Sequence, residues 1–341
     1  VSEIMMQRFW HFAMCGLCLL GVGNVAADYQ QHPEAQAFIA RMVKEHGFKA
    51  GEIKSVLAQA EKKQAILDAI ARPAEKTKPW FEYRKIFLDD DRIQQGVAFW
   101  QENAETLADV SERYGVDESI IVAIIGVETR YGRHMGGYRV VDALTTLGFD
   151  YPPRATFFLG QLEQFFLLAR EQKQNPLDLK GSYAGAMGFG QFIPSSYRHF
   201  ARDHDGDEVA DIWANKQDAI ASVANYFKAH GWQTGQPVFM RASVSDKVDE
   251  AMVNSTARPH MTVAELRKKG VKPTEEVSAD RMAALLSYQQ EQGPEYWLGF
   301  NNFYVITRYN RSQLYAMAVW QLSEAIKESR STPVANKDER L

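Results

Sequence analysis

The chain has 341 residues, with 39 Lys and Arg against 43 Asp and Glu, a formal charge of −4. That length carries a large core in two or three lobes. The charge is nearly balanced, and no long block of one sign suggests a nucleic-acid arm. Aromatic residues make up 12% of the sequence, and Tyr83, Tyr131, Tyr138, Tyr151, Tyr183, Tyr226 and Tyr309 lie outside clear helical stripes. Most buried tyrosines are packing residues. A set this large also suits a groove for sugars, which offer apolar faces and many hydroxyls.

At the N-terminus Arg8 precedes an apolar stretch over 9–23, and Val25-Ala26-Ala27 supplies small residues before Asp28. The stretch is short for a membrane span and ends like a cleavage site, so 1–27 reads as a secretory signal peptide. Both cysteines, Cys15 and Cys18, fall inside it. Met14 and Leu17 precede them, not the small residue of a lipoprotein signal, so lipid anchoring is not supported. The expectation is an exported, periplasmic protein without disulfides.

Amphipathic helices are expected over 35–46 and 51–71, with Gly47 and Pro73 as punctuation. A Pro- and Lys-rich loop leads through Pro79-Trp-Phe-Glu-Tyr83, and 91–115 reads as one helix ended by Gly115. Asp117 would cap the next helix. Residues 155–172 are helical and aromatic, 181–199 open with a glycine-rich loop, and 218–230 is a helix ended by Gly231. Strand composition appears over 237–244, a short helix over 262–269, and strand-like alternation over 281–289 and 296–306. A helix over 310–327 and a polar tail follow. The fold class is mainly α (α+β), with a small mixed α/β insertion.

Three segments carry chemistry. In Ser119-Ile-Ile-Val-Ala-Ile-Ile-Gly-Val-Glu128, residues Ile121, Ile124 and Ile125 precede Glu128 by seven, four and three positions, so all share one helical face. That apolar face ends in an acid. Desolvation raises a carboxyl pKa, which lets Glu128 carry a proton near neutrality and deliver it. The plainer reading is a core acid satisfied by Arg130 or Arg133.

The second segment is Gly181-Ser-Tyr-Ala-Gly-Ala-Met-Gly-Phe-Gly-Gln-Phe-Ile-Pro-Ser-Ser-Tyr197. Its glycines would let backbone approach a ligand, with Ser182 and Gln191 as polar grips. It has neither the Lys-Ser/Thr ending of a phosphate loop nor a Gly-x-Ser-x-Gly elbow. The third is Asp203-His-Asp-Gly-Asp-Glu-Val-Ala-Asp211, whose alternating aspartates suit a hard cation. Glu208 stands at the sixth position, where a sharp turn favours Gly, and Ala214 at the twelfth, where a bidentate Glu is expected. The last carboxylate would come from Asp211 or Asp218. The plainer reading is a solvated acidic loop.

These motifs, Glu-Thr-Arg-Tyr-Gly followed by Gly-Ser-x-Ala-Gly-Ala-Met-Gly-x-x-Gln-Phe-x-Pro-Ser-Ser-Tyr, resemble the membrane-bound lytic murein transglycosylase B family, over roughly 30–328. The resemblance implies a lysozyme-like helical core with an N-terminal helical domain and a β-containing domain around a groove. On that pattern the organisation is an N-terminal helical domain (28–115), a lysozyme-like core holding the metal loop (116–234), a small β-containing domain (235–305), a returning helix (306–328) and a tail (329–341). The resemblance implies cleavage of the β-1,4 bond between N-acetylmuramic acid and N-acetylglucosamine without water. It implies Glu128 as the single catalytic acid, and Tyr83, Arg154, Ser182, Gln191, Phe192, Tyr226, Tyr309 and Asn310 as substrate-groove residues. It also implies one structural Ca2+ held by Asp203, Asp205, Asp207, the Val209 carbonyl and Asp218. Expected partners are peptidoglycan glycan strands and no nucleic acid, with membrane contact only through an N-terminal anchor, for a monomer.

Ordinary glycosidases need two carboxylates flanking the bond. Asp142 reads better as a helix cap, and Asp150 and Glu82 sit in loops without an evident partner. The absence of a second acid fits a substrate-assisted path. The rivals are a hydrolytic muramidase, a non-catalytic calcium-stabilised peptidoglycan-binding protein and, more weakly, a calcium sensor.

Overall fold

The computed structural model describes residues 29–71, 78–246 and 248–331. The expected signal segment 1–27, with both cysteines, and the tail from 332 lie outside the described residues. The chain forms two compact units interleaved in sequence: 78–131 with 223–331, and 29–71 with 132–222.

In chain order the elements begin with α1 (Pro33–His46), α2 (Ala50–Gln59), α3 (Gln64–Ala71), α4 (Trp80–Tyr83), α5 (Asp90–Glu102), α6 (Ala104–Tyr114) and α7 (Glu118–Thr129). Next come β1 (Tyr138–Arg139), α8 (Val140–Asp150), α9 (Ala155–Glu171), β2 (Lys180–Gly181), α10 (Pro194–Phe200) and α11 (Lys216–Ala229). The chain closes with β3 (Phe239–Val244), β4 (Met261–Thr262), α12 (Val263–Lys268), β5 (Val271–Pro273), β6 (Met282–Gln290), β7 (Gly293–Gly299), α13 (Asn301–Tyr309) and α14 (Gln313–Ser331). The fold is mainly helical with a small antiparallel sheet. No helix among the described residues is long and apolar enough to cross a membrane.

In the unit built from 78–131 and 223–331, α7 is the central helix and packs on α5 and α14. Ile121, Val122, Ile124 and Ile125 are fully buried. Burying each such side chain contributes about 1.5–3 kcal/mol, so α7 is anchored along its length. The sheet runs β4-β6-β7-β3-β5, and β6 and β7 form a hairpin closed at Gln290 and Gly293. Val263, Leu266, Val271, Ala283, Leu285, Leu298 and Phe300 form its core. Trp80 packs edge-on to Tyr288 at 5.6 Å, fixing α4 against β6.

In the other unit, α8 and α9 pack side by side, with α10 on α9 and α3 on α8. β1 and β2 pair antiparallel, Tyr138 opposite Gly181. That pairing brings the start of the glycine-rich loop beside the segment that follows α7 in sequence.

Several expected elements differ, each for a local reason. The helix expected over 91–115 breaks at Asn103, whose side chain donates to the Phe99 carbonyl at 2.7 Å and closes α5. The helix expected over 51–71 breaks over 60–63. There the Glu61 and Lys63 amides bond Asp142 Oδ1 and Thr146 Oγ1 on α8, at 2.9 and 3.1 Å. The strand expected over 296–306 ends at Gly299 and becomes α13 after Phe300. Buried Asn302 forces the change, because its side chain bonds the Gln233 and Gln236 backbone three times, a fixed point no strand edge supplies. Asp142 is not a cap: Arg139 is the N-cap of α8 and binds the Asp142 carboxylate at 2.8 and 2.9 Å. Nor is Asp150 without a partner, since Tyr29 and Lys62 both bond it. Asp117 does stand at the N-cap of α7 but makes no side-chain capping bond.

Candidate active site

Glu128 occupies the last turn of α7 and is 9% exposed. Its Oε1 accepts a hydrogen bond from the Tyr315 hydroxyl on α14, and its buried Oε2 has no partner among the described residues. Burial pushes the Glu128 carboxyl well above the usual range, and the Tyr315 bond pulls it partly back. An unpaired buried carboxylate is costly, so the neutral acid is favoured. No other carboxylate contributes to the shift.

The helix ends in a strained turn that aims this acid. Arg130 and Tyr131 both adopt left-handed φ values, 50° and 58°, a conformation unfavourable for side chains with a Cβ. Their amides bond the Gly126 and Ile125 carbonyls at 3.1 and 3.3 Å, closing α7. Arg130 then reaches Asp89 at 3.1 Å and Asp91 at 2.5 Å near the start of α5. Arg130 is therefore spoken for and does not neutralise Glu128; Arg133 is exposed and makes no ion pair among the described residues. The Tyr131 ring lies where side chains at Gly96 and Gly126 would be: a Cβ at either would fall 2.5 Å from its hydroxyl.

Tyrosines surround the acid. Burial raises the pKa of Tyr83, Tyr309 and Tyr315, and the Glu128 charge raises each further. All three hydroxyls stay protonated and can serve as donors. Tyr226 donates to the Arg308 carbonyl at 2.6 Å and stacks on His230, with ring centroids 4.1 Å apart. Tyr309 packs against both Tyr226 and Phe227, at 4.7 and 5.7 Å. Asn310 closes α13, and its buried Nδ2 has no partner among the described residues. Thus Glu128, Tyr83, Tyr226, Tyr309 and Asn310 belong to one unit. Tyr315 completes the set and was not among the expected residues. It heads an apolar stripe with Val319, Leu322 and Ile326, so it reads as packing; a buried hydroxyl that needs a partner was the available signal.

Arg154, Ser182, Gln191, Phe192 and the aspartate loop belong to the other unit. Ser182 Oγ accepts from the Ala184 and Ala186 amides at 3.3 and 3.1 Å, which leaves its hydrogen free to donate outward. Gln191 has φ 51°, and its Nε2 donates to the Gly188 and Met135 carbonyls at 3.0 and 3.2 Å. Phe192 exchanges two backbone bonds with Met187, both 2.9 Å. Arg154 lies over Phe157 at 4.4 Å. Two of the glycines serve packing within the loop, not backbone approach to a ligand. A Cβ at Gly181 would meet the Ala186 carbonyl oxygen, and one at Gly188 the Ile212 carbonyl oxygen, each at 2.3 Å.

In the aspartate loop, carboxylate oxygens of Asp203, Asp205 and Asp218 lie within 4.8 Å of one another. Burial and the charges of Asp205 and Asp203 push Asp218 up, while the His204 and Asp211 amides hold it down. Glu208 adopts φ 71°, the left-handed turn that a glycine would take at the sixth position. Asp207 Oδ1 accepts from the Val209 amide at 2.8 Å. Asp218, and not Asp211, is the carboxylate that joins the cluster; Asp211 turns its Oδ1 to the Trp213 and Ala214 amides. Three close carboxylates suit a hard divalent cation, which removes their mutual repulsion. The donor set fits.

Residues 30–324 match the family described as Transglycosylase SLT domain. The chain is 43% identical over 318 residues to membrane-bound lytic murein transglycosylase B of Escherichia coli, covering 91% of this chain and 87% of that protein. Catenated lytic transglycosylase SltB1 of Pseudomonas aeruginosa superposes with a TM-score of 0.86 at 50% identity, over 89% of this chain and all of that one. Lytic transglycosylase Slt35 of Escherichia coli, solved in complex with calcium, superposes with a TM-score of 0.81 at 42% identity, over 91% of this chain and 97% of that one.

Proposed function

The chain belongs to the transglycosylase SLT domain family, and from that premise we propose that it is a lytic murein transglycosylase with Glu128 as its only catalytic carboxylate. It cleaves the β-1,4 bond between N-acetylmuramic acid and N-acetylglucosamine in peptidoglycan and leaves a 1,6-anhydromuramic acid end. One observation carries the reading: Glu128 is a buried carboxyl held through Oε1 by Tyr315, with a raised pKa and no second carboxylate contributing to it.

Neutral Glu128 gives its proton to the glycosidic oxygen as the bond to C1 breaks. The muramic acid acetamido carbonyl stabilises the positive charge that grows at C1, the task a second carboxylate performs in retaining glycosidases. Glu128, now ionised, takes the proton of the same sugar's C6 hydroxyl, whose oxygen bonds C1. Acid and product acid are the same group, so no water is consumed. A carboxyl with a pKa near working pH serves both steps.

Substrate contacts in this reading come from Tyr83, Tyr226, Tyr309 and Asn310 around the acid, and from Arg154, Ser182, Gln191 and Phe192. The free hydrogen of Ser182 suits an acetamido carbonyl. A structural Ca2+ would be held by Asp203, Asp205, Asp207, the Val209 carbonyl and Asp218, where it neutralises the loop and takes no part in the chemistry; the calcium-bound relative supports this. The enzyme works as a monomer on periplasmic glycan strands. The rival readings, hydrolysis and non-catalytic binding, are not favoured by the relatives' activity.

The test is digestion of purified sacculi by wild type and Glu128→Gln. Wild type releases soluble anhydromuropeptides and the variant releases none. Appreciable lysis by the variant would overturn the single-acid scheme.

A further inference from the structure

A cavity of about 600 Å³ opens beside the sheet and shares none of the residues named around Glu128. Its walls include Pro237, Pro259, Phe300 and Tyr304, with Arg258 and Arg281 at its polar side. That volume is on the order of a small-ligand site, and its lining is mostly polar. The Arg281 guanidinium lies 5.6 Å from the Phe300 ring centroid, and its charge also acts on Asp280. Neither guanidinium makes a hydrogen bond or close ion pair among the described residues. Asp280, the single acid in the lining, accepts instead from the Ser278 hydroxyl. Two guanidinium groups against one committed carboxylate leave the cavity cationic.

The first turn of α13 opens onto the same space through Phe300 and Asn301, and it carries no acidic residue. A helix N-terminus adds partial positive charge and free amides to the two guanidiniums. Guanidinium forks pair with carboxylates, and proline and aromatic walls suit a short peptide better than a sugar phosphate.

From these features we propose that the cavity binds the free carboxylate of a peptidoglycan stem peptide, a site separate from the glycan cleft. The proposal rests on the peptidoglycan reading above and deepens it. The geometry also relates the two sites. Tyr309 ends the helix that Asn301 begins, eight residues on, and at 1.5 Å per residue that is about 12 Å. A strand held at Tyr309 therefore has a peptide-bearing neighbour within reach of the cavity. The cavity selects strands that still carry their peptides.

The test is calorimetric titration of the full chain with a soluble tetrapeptide stem. Wild type binds it saturably, and the Arg258→Gln/Arg281→Gln protein binds about tenfold or more weakly, as expected from losing charge-assisted bonds. The stem amidated at its carboxylates binds as weakly to wild type. Arg258 is exposed, so Arg258→Gln alone gives an intermediate loss without threatening the fold. No saturable binding, or equal binding by the double variant, would each overturn the proposal. Cleavage of peptide-free glycan strands is unchanged in the double variant. A wild type that releases no anhydro product sinks the peptidoglycan reading on its own, whereas the titration judges the cavity alone.

Discussion

Tyr315 donates its phenolic hydrogen to Oε1 of Glu128, joining α14 to α7 across 187 positions of sequence. The bond anchors the buried carboxyl to the neighbouring helix. It also sets how far burial can raise the acid's pKa.

Tyr315→Phe removes the one interaction that lowers the Glu128 pKa. The alkaline limb of the kcat/KM profile, which reports loss of the proton from Glu128, therefore moves to higher pH. The rate at the optimum falls about 10- to 100-fold, because the carboxyl is no longer held in one orientation. A kcat/KM profile on soluble glycan strands checks both effects, and an unmoved alkaline limb would contradict the assignment.

Glu128 also links stability to pH. Its folded pKa is raised above the unfolded value, so the neutral acid's contribution is fully present below the unfolded pKa and is lost as pH rises through the folded one. Glu128→Gln keeps an acceptor for Tyr315 and removes the titration. Its melting temperature relative to wild type rises as pH climbs from the unfolded carboxyl pKa through the raised folded one. Thermal denaturation across that range measures it.

Asp218→Asn tests the aspartate loop. Calcium at 100 times its dissociation constant stabilises a binding protein by about 2.7 kcal/mol, so chelation lowers the wild-type melting temperature and leaves the variant nearly unaffected. Glu208→Gly does the reverse. It relieves a left-handed residue that costs roughly 1–2 kcal/mol and keeps the backbone amide that bonds Asp203. The Gly variant melts higher in chelator and binds calcium more tightly.

Gly126→Ala places a methyl 2.5–2.8 Å from the Tyr131 ring. The ring is pinned by Phe99, with centroids 5.6 Å apart, and has no easy escape. Chemical denaturation should show a loss of about 1–3 kcal/mol, with kcat reduced because the turn that follows Glu128 shifts.

Much of this arrangement is legible in one dimension, and the rest is hidden for a physical reason. The apolar periodicity before Glu128 marks a buried helix, and an acid at its end is visible because it breaks the pattern. Tyr315 breaks no pattern: an aromatic at the head of an apolar stripe is what packing requires, and only the tertiary fold brings its hydroxyl to an acid. Asn302 misleads in the opposite way. Alternation from Tyr296 continues through it, and the backbone groups it bonds at Gln233 and Gln236 lie far back in sequence. Glu208 looks like a defect in a metal loop, yet the structure gives it the glycine-like turn, because sequence shows preference and not the strain a fold will accept. The glycines at 181 and 188 look like openings for a ligand but are filled by neighbouring backbone.

The most direct measurement is the mass of the cleaved ends when wild type digests sacculi in water enriched in heavy oxygen. If Glu128 acts alone as acid and then base, every new muramic acid end is one water lighter than a hydrolysed end and carries no heavy oxygen. Ends that gain water and its label would show a hydrolase with a second acid, and would contradict the single-carboxylate mechanism.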